Sequence, residues 1–220
     1  DWVSEADGYA VFSAYGICVP QHRVAKNRDD AIQFAQHLKR SAVCKTAMPG
    51  VYHKTDVGGI VLNLENAAEV GAAYDALSAS LGPNVLVAEM LPKGSEWSLG
   101  AIIDPDFGPF VRIAPGGTLV ELLPESALLM APFTTAEAKA AILSLRASKL
   151  LQGYRGAPVQ DLSAFADAAA ALSRMAWDFR DCLSEIEINP MIVSETAATA
   201  ADAVIHTTKN HQGGGQHEVL

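Results

Sequence analysis

Positive charge is scarce in this chain. Sixteen Lys and Arg stand against 25 Asp and Glu, giving a formal net charge of -9 and a pI near 5.0. A nucleic-acid partner is therefore not expected, because phosphate backbones call for clustered cations. Cysteine is scarce too. Cys18, Cys44 and Cys182 are odd in number and scattered, so they match no zinc spacing and suggest a reducing, cytoplasmic setting. No run approaches the roughly 18 apolar residues needed to span a bilayer, and no signal-peptide pattern opens the chain. No membrane association is expected. The first residue is Asp1 rather than Met, as in a piece cut from something longer.

What is present is apolar mass in periodic order. Half of the 220 residues are hydrophobic, enough for a core in one domain or in two small lobes. Residues 4–15 read as a leading helix ending at Gly16, and 21–25 as a strand. A helix opening at Asp30 has Ala31, Phe34, Ala35 and Leu38 at spacings of three and four. Strands follow at 41–46 and 60–64 around a Gly- and Pro-rich loop. A helix over 66–81 carries Val70, Ala73, Tyr74 and Leu77, and a strand runs over 85–90. Beyond it, strands are predicted at 96–103, 110–114 and 118–121. A helix opens at Thr134 with Glu137 completing a capping box, and a longer one at Asp161 has Leu162, Phe165, Ala169, Leu172 and Ala176 as its stripe. Strands at 183–189, 191–193 and 201–206 close the pattern. The expectation is an α+β (α/β) chain of two lobes, roughly 20–90 and 91–206. A leading helix within 1–19 precedes them, a polar tail from 207 to 220 follows, and a ligand cleft lies between the lobes.

Four groups of residues carry chemistry. Lys45 ends the strand Val43-Cys44-Lys45, from which a point charge suits a phosphate oxygen; it could equally reach out to water. The segment His53-Lys54-Thr55-Asp56-Val57-Gly58-Gly59 joins a Gly pair, whose N–H groups can approach an anion, to the charge of Lys54. His53 in it is an imidazole competent to carry a phosphoryl group. Glu89 and Met90 end a strand between the lobes, where backbone groups can meet a flat base, and the carboxylate of Glu96 can accept from two ribose hydroxyls; both acids could also be ordinary solvated strand ends. In Glu187-Ile188-Asn189-Pro190 the strand period puts Glu187 and Asn189 on one face. A late strand returning alongside would bring Asp202 near, making a hard-oxygen site of the kind Mg²⁺ uses with nucleotide phosphates.

With these segments in order, the chain resembles the ATP-grasp domain of NDP-forming acyl-CoA synthetases, ADP-forming acetyl-CoA synthetases above all and the succinyl-CoA synthetase beta subunit more distantly. The resemblance runs from about residue 5 to 205. It rests also on Ala14-Tyr15-Gly16-Ile17, Asp106-Phe107-Gly108-Pro109, Val120-Glu121-Leu122-Leu123 and Gly153-Tyr154-Arg155-Gly156. It implies an ATP-grasp fold that binds ATP or ADP with Mg²⁺. In it, Lys45 would contact phosphates, Glu89 and Met90 would line the adenine site, and Glu96 would hold ribose. Asn189 and Asp202, with Glu187 beside them, would be metal ligands, and His53 a second phosphate carrier. It further implies an enzyme reaction converting acyl-CoA, ADP and phosphate to acid, CoA and ATP. That reaction passes through a phosphohistidine on CoA-binding partner domains or an alpha subunit.

Some positions depart from the pattern. Leu129 stands where an Arg is usual, after Glu125 and before Met130-Ala131-Pro132, and Val204 follows Asp202-Ala203 where a basic residue is common. The loss of an Arg keeps open a non-catalytic, regulatory ATP-grasp-like domain of a fused acyltransferase. A carboxylate–amine ligase is the other alternative, and the 53–59 segment argues against it.

Overall fold

In a computed structural model, residues 1–48, 50–51, 54–117 and 124–208 are described. His53, the strand expected at 118–121 and the tail from 209 lie outside them. The element order is α1 (Glu5–Ala14), β1 (His22–Ala25), α2 (Arg28–Ala35), β2 (Ala42–Thr46), β3 (Ile60–Leu64), α3 (Ala67–Leu81), β4 (Val85–Glu89), β5 (Ser95–Asp104), β6 (Gly108–Pro115), β7 (Ala127–Met130), α4 (Thr135–Ser144), α5 (Ser148–Leu151), a 3₁₀ turn at Tyr154–Gly156, α6 (Leu162–Asp178), β8 (Leu183–Val193), β9 (Ala198–Ala200) and β10 (Val204–Thr207). Among these helices none is long and apolar enough to cross a membrane.

The strands form two sheets. The smaller runs β1-β4-β2-β3, and the larger runs β10-β8-β5-β6-β7 with β9 alongside β8. In the small sheet the strand period separates two faces. Ala42, Cys44, Val85 and Val87 pack with Val70, Ala73, Tyr74 and Leu77 of α3 and Ala31 of α2. Val43, Leu86 and Ala88 turn the other way and join the core of the large sheet. Lys45, two positions on from Val43, shares that second face. The two lobes therefore meet through the side of the small sheet that bears the lysine.

In the large sheet, β5 is flanked by β8 and β6, with Ala101 opposite both Ile186 and Val111. That row packs against Phe165, Ala169, Leu172 and Ala176 of α6, all fully buried. The opposite face carries Glu187, opposite Gly100 and Val204. β8 runs unbroken through Pro190, where two strands were expected; the Asn189-Pro190 peptide is cis. Of the region expected as one strand over 201–206, only 204–206 is strand, in β10; Asp202 lies in the connection from β9, which ends at Ala200.

Helix starts follow their caps. Ser4, Asn27, Asn66, Thr134 and Asp161 each accept from a backbone N–H in the first turn, and Thr134 with Glu137 completes both bonds of the capping box. Asn27 and not Asp30 begins α2. Four short elements were not expected from the sequence: β7, α5, the 3₁₀ turn and β9. α5 is held by Glu125, whose carboxylate accepts from Arg146 N (2.9 Å) and Ala147 N (2.7 Å).

Truncating Leu172 to Ala should cost about 2–5 kcal/mol of unfolding free energy by opening a cavity under β5 and β6. Thr134→Ala should cost about 1 kcal/mol through loss of the cap. Urea unfolding of each variant measures both.

Candidate functional site

A cleft of about 930 Å³ opens between the sheets. Val43, Lys45 and Ala88 of the small sheet form one wall. Glu96, Asn189, Ile192 and Asp202 form the other, and residues 89–94 make the back. Of the residues singled out in the sequence, Lys45, Glu89, Met90, Glu96, Asn189 and Asp202 thus share one cavity. Lys54, Glu187, Gly58 and Gly59 do not line it.

The back of the cleft is a fixed strand crossing. Glu89 N donates to Gln21 O and Met90 N to Ser41 O, both at 2.8 Å. Opposite, the turn at Gly116-Gly117 crosses β5 closely. A Cβ on Gly116 would lie 2.9 Å from the Trp97 backbone, and one on Gly117, at φ +57°, would lie 2.1 Å from Glu96 Oε2. Glycine at both places lets the Glu96 carboxylate keep its position at the cleft rim.

The N–H groups of the Gly58-Gly59 pair close their own turn. Gly58 N donates to Thr55 O (3.2 Å) and Gly59 N to Lys54 O (2.7 Å). Both donors expected to cradle a phosphate are therefore spent. A Cβ on Gly59 would meet Thr46 Cγ2 at 2.7 Å, so the absence of a side chain lets the turn press on β2. It delivers Lys54 inward.

Lys54 and Lys45 belong to a buried set of charges. Lys45 Nζ donates to Glu5 Oε1 (2.7 Å), to the Ala201 carbonyl and to Tyr9 Oη (3.3 Å). Lys54 Nζ donates to both oxygens of Asp202, at 2.8 and 3.0 Å, and lies 3.1 Å from Glu5 Oε2. The single hydroxyl proton of Tyr9 faces Glu5 Oε1 (2.7 Å) and the Ala201 carbonyl (2.8 Å). Glu5, Lys45 and Lys54 are each 6% exposed. Glu5 Oε2 has no hydrogen-bond donor; its contact with Lys54 is an ion pair without hydrogen-bond alignment. Burial pushes the Glu5 carboxyl up, but Lys45 and Lys54 outweigh it and hold it below the ordinary carboxylate range. Burial likewise lowers the Lys54 ammonium, while Glu5 and Asp202 raise it further. Burial and the Glu5 and Asp202 charges push the Tyr9 phenol well up, so it stays protonated. Two cations face two carboxylates, which is how buried charges are tolerated. Removing one partner of such a pair typically costs about 3–5 kcal/mol.

Glu5 and Tyr9 were not legible as site residues. In the sequence they read only as part of the leading helix over 4–15. Nothing in their spacing announces partners 40 and more residues away.

The candidate metal ligands are hard oxygen donors of the type Mg²⁺ takes. Asn189 and Asp202 face the cleft together, and Ala201 N donates to Pro190 O (2.9 Å), which pins the turn to β8. Glu187 sits beside them, accepting from Asn189 Nδ2 at 3.2 Å. The donor chemistry fits a metal–nucleotide complex, provided Asp202 leaves Lys54. Leu129 bears on none of this. It pairs with Val111 on the helix-covered face and packs into the core, so its departure from the expected Arg places no apolar side chain in the cleft.

An ATP-grasp domain family model matches residues 1–207. The 4-hydroxybutyrate–CoA ligase [ADP-forming] of Nitrosopumilus maritimus is 34% identical over 87% of the chain, which spans 28% of that protein. The acetate–CoA ligase [ADP-forming] I subunit beta of Pyrococcus furiosus is 32% identical, over 90% of the chain and 89% of the subunit. Among solved structures, the Ca. Korarchaeum cryptofilum dinucleotide forming acetyl-coenzyme A synthetase 1, bound to coenzyme A and Ca-AMPCP, superposes with a TM-score of 0.89 at 32% identity. It covers 94% of this chain and 93% of its own. The same synthetase has been solved with Mg-AMPPCP and a phosphohistidine segment pointing towards the nucleotide binding site.

The Glu5 charge makes stability depend on acidity. Its folded value lies below the ordinary 4.5, so the unfolded chain binds more protons as pH falls through that window. The contribution of Glu5 is present above about pH 4.5 and is lost as pH drops through the folded value. Urea midpoints measured from pH 6 down to 3 should fall, and the fall should be shallower in Glu5→Gln.

Proposed function

Because the chain belongs to the ATP-grasp family, we propose that it is the nucleotide-binding module of an ADP-forming acyl-CoA synthetase. It transfers a phosphoryl group between ATP or ADP and a histidine on CoA-binding partner domains or an alpha subunit. The overall reaction converts acyl-CoA, ADP and phosphate to acid, CoA and ATP. The observation that carries this reading is Lys45, a buried cation on a rigid central strand, facing Asn189 and Asp202 across one cleft. Its similarity to ADP-forming ligases and to a beta subunit supports the same reading.

In this reading Lys45, on a central strand, keeps Glu5 and turns its donor from the long Tyr9 contact (3.3 Å) to a phosphate oxygen of the transferring group. Backbone groups at Glu89 and Met90 meet the base, and Glu96 accepts from the ribose hydroxyls. Asn189 and Asp202, with Glu187 behind Asn189, hold the metal. Bound Mg²⁺ supplies neutralisation of the phosphate charge. Lys54 acts from behind the wall through Asp202. His53 is proposed as a second phosphoryl acceptor. Three free thiols, Cys18, Cys44 and Cys182, suit a cytoplasmic enzyme.

Calorimetric titration of the chain with ATP, with and without Mg²⁺, tests the reading. Wild type should bind with a Mg²⁺-dependent gain. Lys45→Ala should weaken binding about tenfold or more, the equivalent of about 1.4 kcal/mol, and Asp202→Ala should abolish the gain. A folded wild type that ignores nucleotide would remove the reading. Activity is then sought by adding the CoA-binding domains and measuring acyl-CoA-dependent ATP formation.

A further inference from the structure

Asp202 carries two assignments that cannot be met at once. Both of its oxygens hold Lys54, at 2.8 and 3.0 Å, yet it faces the cleft beside Asn189 as a proposed metal ligand. A carboxylate drawn to a metal–nucleotide complex would release a lysine that is 6% exposed. A buried ammonium cannot be left unpaired. One acceptor is already in place to receive it. Glu5 Oε2 lies 3.1 Å from Lys54 Nζ, is fully buried, and lacks a hydrogen-bond donor. Glu5 Oε1 is meanwhile held by Lys45 and Tyr9. The carboxylate therefore stays fixed by one oxygen and keeps the other in reserve. Glu5 lies outside the cleft lining, in a separate cavity of about 350 Å³ shared with Lys54 on the far side of the wall. It is placed to serve the lysines and not the metal.

Building on the nucleotide-binding reading, we propose that Glu5 is a positioning residue that takes over Lys54 when Asp202 turns to the metal–nucleotide complex. The N-terminal helix thereby becomes part of the phosphate site. Before the exchange, two cations balance two carboxylates. After it, Lys45 and Lys54 share Glu5 alone, and one net positive charge faces the incoming phosphates. The lysine side thus gains the positive charge that phosphate favours, and the freed Asp202 carboxylate offers the metal the negative one.

Glu5→Gln is close to isosteric and separates this role from a structural one. Its amide can no longer neutralise Lys54, which stays locked on Asp202. The affinity gain that Mg²⁺ confers on ATP should shrink about 10- to 100-fold, as for other groups that support a metal ligand from behind. Affinity for metal-free ATP should hold or rise. In Lys54→Met, where no cation needs rehousing, adding Glu5→Gln should leave the gain unchanged. Calorimetry of the four proteins with ATP, with and without Mg²⁺, measures all of this. Should Glu5→Gln not fold, Glu5→Asp, which keeps the charge but shortens its reach, should lose an intermediate part of the gain. A full Mg²⁺ gain in the Glu5 variant overturns the inference. So does an equal loss with and without Mg²⁺, or an undiminished Glu5→Gln effect in Lys54→Met. If wild type shows the gain and these results follow, only the role of Glu5 falls; a wild type that binds no ATP removes the nucleotide reading and this role together.

Discussion

The neutral set of Glu5, Lys45, Lys54 and Asp202 is the interaction on which the arrangement of this molecule turns. Its four members come from α1, from β2, from the turn before β3 and from the connection between β9 and β10. Each is too expensive to bury alone. Together with the Tyr9 hydroxyl and the Ala201 carbonyl they form a polar knot at the junction of the two sheets. Hydrophobic contact alone would bring the lobes together, since Val43, Leu86 and Ala88 share the core of the large sheet. The charges add direction, because a set of ion pairs tolerates little sliding of one lobe over the other.

Much of the fold was legible because local rules and packing agree. The three-and-four spacing of Val70, Ala73, Tyr74 and Leu77 became the buried face of α3, and Thr134 with Glu137 became a true capping box. The places that misled are those where tertiary context decides. Pro190 read as a break, yet β8 runs through it because β5 pairs on both sides of it. The stretch 201–206 read as one strand, yet its first three residues form a connection, in which Asp202 meets Lys54. β7, four residues long, shows no alternation that a reader of sequence would trust.

The candidate site was legible in its cleft-facing half. Lys45, Glu89, Met90 and Glu96 lie at or near strand ends, Asn189 within β8 and Asp202 in the connection after β9, and all six fall on one cavity. The hidden half was not. Glu5 and Tyr9 are committed by contacts spanning 36 to nearly 200 positions along the chain, and helix periodicity carries no trace of such partners. The Gly pair shows the opposite case. Its chemistry suggested an anion cradle, but a tight turn against Thr46 consumes the same N–H groups.

Both ends of the described chain lie at one edge of the large sheet. Val3 N donates to Ile205 O (3.0 Å), and the Trp2 ring stacks on His206 at 4.4 Å. A unit whose first and last segments meet side by side can be spliced into a longer polypeptide as a closed cassette, because the host need bridge only the gap between two neighbouring segments. The two forms among its relatives, a near-full-length beta subunit and a 28% portion of a longer ligase, are the genetic arrangements such a cassette permits. The knot of charges travels with it whole, since every member lies between those two ends.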